Sequence, residues 1–304
     1  MRMVQGLIAA CICSLLIGPV WGQGLKLNVG YVTNGDFVPV LVAQEKGYFA
    51  KAGLETTLTP IPIPTNVPAA LTSQSVDVGP MTGVNLLQTA ENGLGLVAVS
   101  GYNRNLAGKE PAQLIFRTGL AYKSPEDIEG KRIGTPGLLS TFDLFLRGWL
   151  HKNNVPLAKI TQVDVTFPPM LDMLKGGQVD AVIAVDPFRA QIVKTGVGFV
   201  AADFMGDVSK DCVGLLWAAN KNWATAHPRE RAAFVAAVKE GIAEAFRDPQ
   251  GAMEVEKKYL KFAAPLTDDF NMSLAPADLQ FFEDQMLQVG FLQKKLNVSD
   301  LIVQ

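Results

Sequence analysis

The sequence predicts an α/β protein of two lobes, each a mostly parallel sheet flanked by helices. Three observations predict it. From Leu25 onward, short apolar strands alternate with helical stretches, the pattern of parallel α/β layers. The pattern runs twice: "SQSVDVGPMTG" at 73–83 returns as "GGQVDAVIAVDPF" at 176–188, with Val76-Asp77 falling on Val179-Asp180. The last stretch is mostly helical and has no strands for a sheet of its own, so it must pack on an earlier unit. The first lobe is therefore discontinuous, 23–118 plus 215–304, and the second lobe is 119–214.

The elements follow in order. "LKLNVGYV" (25–32) reads as a strand, "VPVLVAQEKGYFAKAG" (38–53) as a helix closed by glycine, and "LETTLTPI" (54–61) as the next strand. A helix near 66–73, strand "VDVG", a helix over 83–92 and strand "LGLVAVSGY" (94–102) complete the first run. The second run has a strand near 132–135, a helix over 141–152, strand "TQVDVTF" (161–167), a helix over 169–176, strand "VDAVIAV" (179–185), a helix over 187–194 and strand "GFVAAD" (198–203). "CVGLLWAAN" (212–220) reads as one strand. The stretch 227–248 is an amphipathic helix, with Pro228 in its first turn and Pro249 just beyond its end. Further helices fit 250–261 and 276–289. Asp77 and Asp180 stand at the entrances of their strands, where their carboxylates can bond backbone amides, a structural role.

With 304 residues, 48% hydrophobic and 18% charged, the chain suits two ordinary domains, and a net charge of −2 gives no reason to expect nucleic acid or an anionic membrane as partner. Residues 1–22 read as a secretory signal: Arg2, the apolar run "GLIAACICSLLIGPVW", and Val-Trp-Gly ahead of a cleavage near Gly22. "IAAC" (8–11) also resembles a lipoprotein box at Cys11, but it comes very early in the run. Beyond this segment the one cysteine is Cys212, which leaves no internal disulfide.

Four fragments in order, "YVTNGDFVPVLVAQEKGYFAKAGLETTL", "ALTSQSVDVGPMTG", "SPEDIEGKRIGTPGLLSTFD" and "GGQVDAVIAVDPF", resemble the nitrate/sulfonate/taurine group of periplasmic substrate-binding proteins, which includes binders of the thiamine-pyrimidine precursor. The resemblance covers about 25–300. It implies the two-lobed type II periplasmic binding protein fold, with a ligand cleft between the lobes. It also implies a receptor for a small organic anion (a sulfonate, taurine or an aromatic carboxylate), served by an ABC permease and ATPase in the inner membrane, monomeric and without cofactor. Nitrate and the pyrimidine precursor are the alternatives, as is a receptor that serves a membrane sensor.

Ligands of such sheets lie beyond the C-terminal ends of the strands. The candidate contacts are therefore Asn34, Asp36 and Phe37 after the first strand, Thr82 and Gly83 of "PMTG", Asn103 of "GYNRN", Ser140 and Thr141 of "TPGLLSTFD", and Asp186 of "VDPF". Thr82, Ser140 and Thr141 stand at helix starts, where unpaired amides suit an anion, and plain helix capping explains them as well. Asp186 would face a donor group and, unless a cation intervenes, repel a bare inorganic anion. Arg104 is the one basic residue placed near a strand end of the first lobe, and "TFPPM" (166–170) could lend an apolar wall through Phe167 and Met170.

Catalysis has little to work with. His151 and His227 lie far from the strand ends, and the chain has no phosphate loop, HExxH or CxxC. The resembling group does include a pyrimidine synthase on the same fold, which consumes a suitably placed histidine of its own. A LysR-type effector domain would need a DNA-binding helix-turn-helix ahead of it.

Overall fold

A computed structural model describes residues 25–62, 64–109, 111–261, 265–267 and 269–303. The expected signal segment, with Cys11 and Cys13, lies outside them. The order is β1 (Leu25–Val32), α1 (Val38–Glu45), α2 (Tyr48–Lys51), β2 (Leu54–Ile61), α3 (Val67–Thr72), β3 (Val78–Met81), α4 (Gly83–Glu91), β4 (Leu96–Gly101), β5 (Asn103–Leu106) and β6 (Ala112–Arg117). There follow β7 (Arg132–Thr135), α5 (Thr141–Lys152), β8 (Thr161–Asp164), α6 (Met170–Lys175), β9 (Ala181–Val185), α7 (Phe188–Lys194), β10 (Gly198–Ala202), α8 (Phe204–Val208) and β11 (Asp211–Val213). The chain closes with β12 (Leu216–Asn220), α9 (Lys221–Ala226), α10 (Pro228–Arg247), α11 (Pro249–Leu260), β13 (Asp269–Phe270) and α12 (Pro276–Gln288).

Two five-stranded sheets share one topology. The first runs β2-β1-β3-β12-β4 and the second β8-β7-β9-β6-β10. In each, the fourth strand is antiparallel to its neighbours: β12 against β3 and β4, and β6 against β9 and β10. Each antiparallel strand enters its sheet directly after a crossing between the lobes. β5 leads out of the first sheet into β6, and β11 leads back into β12. The crossing strands β5 and β11 pair antiparallel and take β13 as a third strand. The first crossing therefore comes at β5, earlier than the boundary expected at residue 118, because β6 bonds to β9 rather than to lobe 1.

The doubled phrase is one structural device used twice. Asp77 N–H donates to Asn28 O (2.8 Å) while Asn28 N–H donates to Asp77 Oδ2 (2.7 Å). In the second lobe Asp180 N–H donates to Arg132 O (2.8 Å) and Arg132 N–H to Asp180 Oδ2 (3.0 Å). Each carboxylate stitches the entrance of the central strand to its parallel neighbour, β1 or β7. Burial alone would raise the Asp180 carboxyl. The Arg132 amide and the Arg117 and Arg132 side chains outweigh it and hold the carboxyl below its ordinary value.

Local differences have local causes. The helix expected over 38–53 breaks into α1 and α2 because Gly47 turns left-handed, φ +72°. "CVGLLWAAN" is two strands, β11 and β12. They part at Gly214, where a Cβ would stand 2.6 Å from Asn103 Oδ1. The C-terminal helices cover lobe 1. Helix α10 crosses α1 so closely that a Cβ on Gly241 would meet Pro39 O at 2.2 Å. Under them Phe37, Tyr102, Trp217 and Phe234 form a buried aromatic stack. Each such ring contributes about 2–3 kcal/mol by leaving water.

Candidate functional site

The loop that follows β7 reaches α4, the helix that follows β3, so segments beyond the C-terminal ends of strands from both sheets meet at Leu139 and Gln88. After β1, Asn34 Nδ2 donates to Asp36 Oδ2 (3.1 Å) and the Tyr102 hydroxyl donates to Asp36 O (2.6 Å). Neither Asn34 nor Asp36 caps a helix through its side chain. Asn34 Oδ1 is buried and has no hydrogen-bond partner among the described residues, and burial pushes the Asp36 carboxyl up. Gly35 lets this loop lie against α11, where a Cβ would stand 3.2 Å from Glu256 Oε1. Phe37 does not belong with them. It is 1% exposed and stacked on Tyr102 at 5.5 Å, a core ring rather than a cleft ring.

After β3, Thr82 caps α4, its Oγ1 accepting from Asn85 N–H (3.2 Å). Gly83 is buried beneath α12, and a Cβ there would fall 2.5 Å from the Phe282 ring. The start of α4 is thus covered by Phe282, and Gly83 allows that close approach. Asn103 is also displaced from the cleft. It lies buried in β5, and its Oδ1 accepts from Leu215 N–H (2.7 Å), bracing one crossing strand against the other.

Arg104, next in β5, is bonded to Asp211 of β11 and to Asp278 of α12 (2.9 Å). Its guanidinium is therefore a clamp on the crossing rather than an anion receptor. Cys212 of β11 is buried beside it, and burial pushes the thiol up to about 11.

The second lobe presents the polar groups of α5. Ser140 is its N-cap. Its hydroxyl accepts from Asp143 N–H (3.4 Å) and donates to Pro136 O (3.1 Å), so it is occupied. Thr141 is different: its Oγ1 is buried and unpartnered among the described residues. Behind them lies a network absent from the sequence reading. Asp143 is fully buried, accepts Leu139 N–H (2.8 Å) and Gln162 Nε2 (2.7 Å), and forms a two-pronged pair with Arg147 (2.8 and 3.1 Å). The spacing "DLFLR" holds the signal, an Asp and an Arg four residues apart on one helix face. Through the Leu139 N–H this network ties the 136–140 loop to α5. From lobe 1, Gln88 Nε2 donates to Leu139 O (3.2 Å), a direct bond between the lobes.

Asp186 follows β9. Its carboxylate is paired with Arg189 and accepts Ala190 N–H (3.1 Å), and the Arg189 bond holds it below the usual carboxylate range. It borders a groove of about 380 Å³ shared with Gly108, Lys109, Gln113, Val193 and Val200. Among the candidate residues, that groove takes in Asp186 alone, so the structure does not gather all of them around one cavity.

Phe167, suggested as an apolar wall, sits between two other rings. Phe142 meets it edge-on at 6.2 Å, and Phe188 stacks on it at 5.6 Å. Met170, by contrast, is fully buried. The three rings follow β7, β8 and β9: Phe142 in the first turn of α5, Phe167 in the loop after β8 and Phe188 at the start of α7. A run of aromatic residues placed just beyond successive strand ends was the readable signal for Phe142 and Phe188. The histidines lie elsewhere. His151 is in the last turn of α5, and His227 stacks on Trp223 at 5.0 Å.

The solved structure of the periplasmic aliphatic sulphonate binding protein SsuA from Escherichia coli superposes with a TM-score of 0.75, at 18% identity, over 91% of this chain and 97% of that one. The bicarbonate transport ATP-binding protein CmpC of Synechocystis sp. is 25% identical over 77% of this chain, which spans 37% of that longer protein. The 4-amino-5-hydroxymethyl-2-methylpyrimidine phosphate synthase of Uromyces fabae is 22% identical over 83% of this chain and 75% of its own length. Residues 34–252 match the family described as NMT1/THI5 like, and the chain belongs to that family.

Proposed function

We propose that this chain is the periplasmic solute receptor of an ABC-type importer. It captures a small organic anion of the sulfonate, taurine or aromatic carboxylate kind between its lobes and delivers it to a membrane permease. The observation that carries the reading is the pair of like-built sheets joined through the crossing strands β5 and β11. Such a body can hinge. A ligand that touches both lobes favours the closed form by its extra contacts. The Gln88–Leu139 bond at the junction is one that opening would break. The names of two relatives, a sulphonate binding protein and a bicarbonate transport ATP-binding protein, support a transport role and an ATPase partner.

The synthase relative raises a second reading, and by the resemblance such an enzyme would need one of this chain's histidines beside its ligand. Here His151 occupies the end of α5 opposite Thr141, about 15 Å away at 1.5 Å per residue. His227 stacks on Trp223 in α9. The receptor reading therefore stands ahead. Calorimetric titration with alkyl- and arenesulfonates, taurine, aromatic carboxylates, nitrate, bicarbonate and pyrimidines tests it. Saturable binding of one class without turnover supports it, and no binding across the panel overturns it.

A further inference from the structure

We infer that the ligand carries a flat apolar body, an aromatic ring bearing one anionic group, and that Phe167 and Phe188 hold its face; this rests on the receptor reading above and names its ligand class. Three separate segments, the starts of α5 and α7 and the loop after β8, place Phe142, Phe167 and Phe188 in one chain of ring contacts beyond strand ends of lobe 2. All three are half-buried, so part of each ring is left open to an apolar occupant. Phe167 is backed by the small core beneath β9 and α6, which holds its ring in place. In the loop that leads into α5 and Phe142, Leu138 and Leu139 stand 44% and 52% exposed, beside the Gln88 bond to lobe 1. Large apolar groups left in water at a junction of lobes gain most from an apolar occupant.

The charges point the same way. Arg104 is bonded to Asp211 and Asp278, Lys109 to Asp269, and Arg189 to Asp186. A nitrate or bicarbonate ion would have to exchange its hydration for donors these cations already give to carboxylates. What the α5 loop offers an anion is the unpartnered Thr141 hydroxyl beside the helix amides. That suits one carboxylate or sulfonate group on a ligand whose remaining surface is apolar.

The test is calorimetric titration of the purified full chain and of Phe188→Ala and Phe188→Tyr, with benzoate, benzenesulfonate, methanesulfonate and nitrate. Phe188 is half-buried at the start of α7, and unchanged melting temperatures would show that the variants fold. We expect benzoate or benzenesulfonate to bind at least about tenfold more tightly than methanesulfonate and nitrate, Phe188→Ala to lose about tenfold for the arene alone, and Phe188→Tyr to restore it. Equal affinity for methanesulfonate or nitrate overturns this inference and leaves the receptor reading intact. An arene preference that survives Phe188→Ala also overturns it, by placing the ring elsewhere. Binding by none of the four, while another anion of the wider panel binds, again overturns this inference alone; silence across that whole panel overturns both.

Discussion

Asp180→Ala should cost more than its counterpart Asp77→Ala, although the two residues occupy the same step of the doubled phrase. Both carboxylates accept an amide from the neighbouring strand, Arg132 N–H at 3.0 Å and Asn28 N–H at 2.7 Å. Asp180 also holds Arg117 at 3.1 Å and Arg132 at 3.5 Å, and its side chain is 14% exposed. A hydrogen bond to a charged group is worth about 1.5–3 kcal/mol, and the exposed Arg132 arm adds little. Asp180→Ala, which loses two such bonds, should therefore cost about 3 kcal/mol, against about 1.5 kcal/mol for Asp77→Ala, which loses one. In melting temperature the former is a drop of roughly 5 °C for a chain of this size. Asp180→Asn keeps an acceptor but loses the charge, and it separates the two contributions. The Asp180 carboxyl is held below its ordinary value in the fold, so its stabilisation is full above the unfolded pKa, about 3.9, and is lost as pH falls through the folded pKa. In urea titrations the gap between wild type and Asp180→Asn should be constant at pH 6 and above, and should shrink as the pH is taken below 4. A cost at 180 no greater than at 77, or a gap that persists at low pH, would refute the reasoning.

Three further outcomes follow from the same geometry. Ser140→Ala should lower stability by about 1 kcal/mol through the lost cap, whereas Thr141→Val should leave the melting temperature unchanged and weaken ligand binding, read by thermal melts and calorimetry together. Gly83→Ala drives a methyl into the Phe282 ring and should destabilise by about 1–3 kcal/mol in urea unfolding, with a milder loss if Phe282→Leu is added. The Cys212 thiol, buried and pushed up to about 11, should resist a disulfide reagent at pH 8 in the native protein and react at once in urea.

Much of the fold was legible in the sequence because the parallel strands are short apolar runs closed by turn residues. β1, β2, β7 and α5 fall where the pattern sets them. The crossing was not legible. β5 reads "NRNL", polar and without alternation, and becomes a strand only by pairing with β11, a partner far along the chain. β6 is apolar, but its assignment to lobe 2 depends on β9 and β10, and local pattern carries no such information. Strand-end logic pointed to Thr141, Asp186 and Phe167, which have an unpartnered hydroxyl, a place on the 380 Å³ groove and a ring between two others. It could not tell that the Ser140 hydroxyl is already used, that Phe37 turns into the core, or that Asn103 and Arg104 serve the crossing. A loop residue's role is set by whichever partner folding brings to it.

The central claim is that two hinged lobes close over a small organic anion. Small-angle X-ray scattering of the protein, with and without each anion of the panel, tests it most directly. The account predicts that an anion which binds with saturable heat also shrinks the radius of gyration at the same concentrations. Binding with no change in the scattering curve would contradict it.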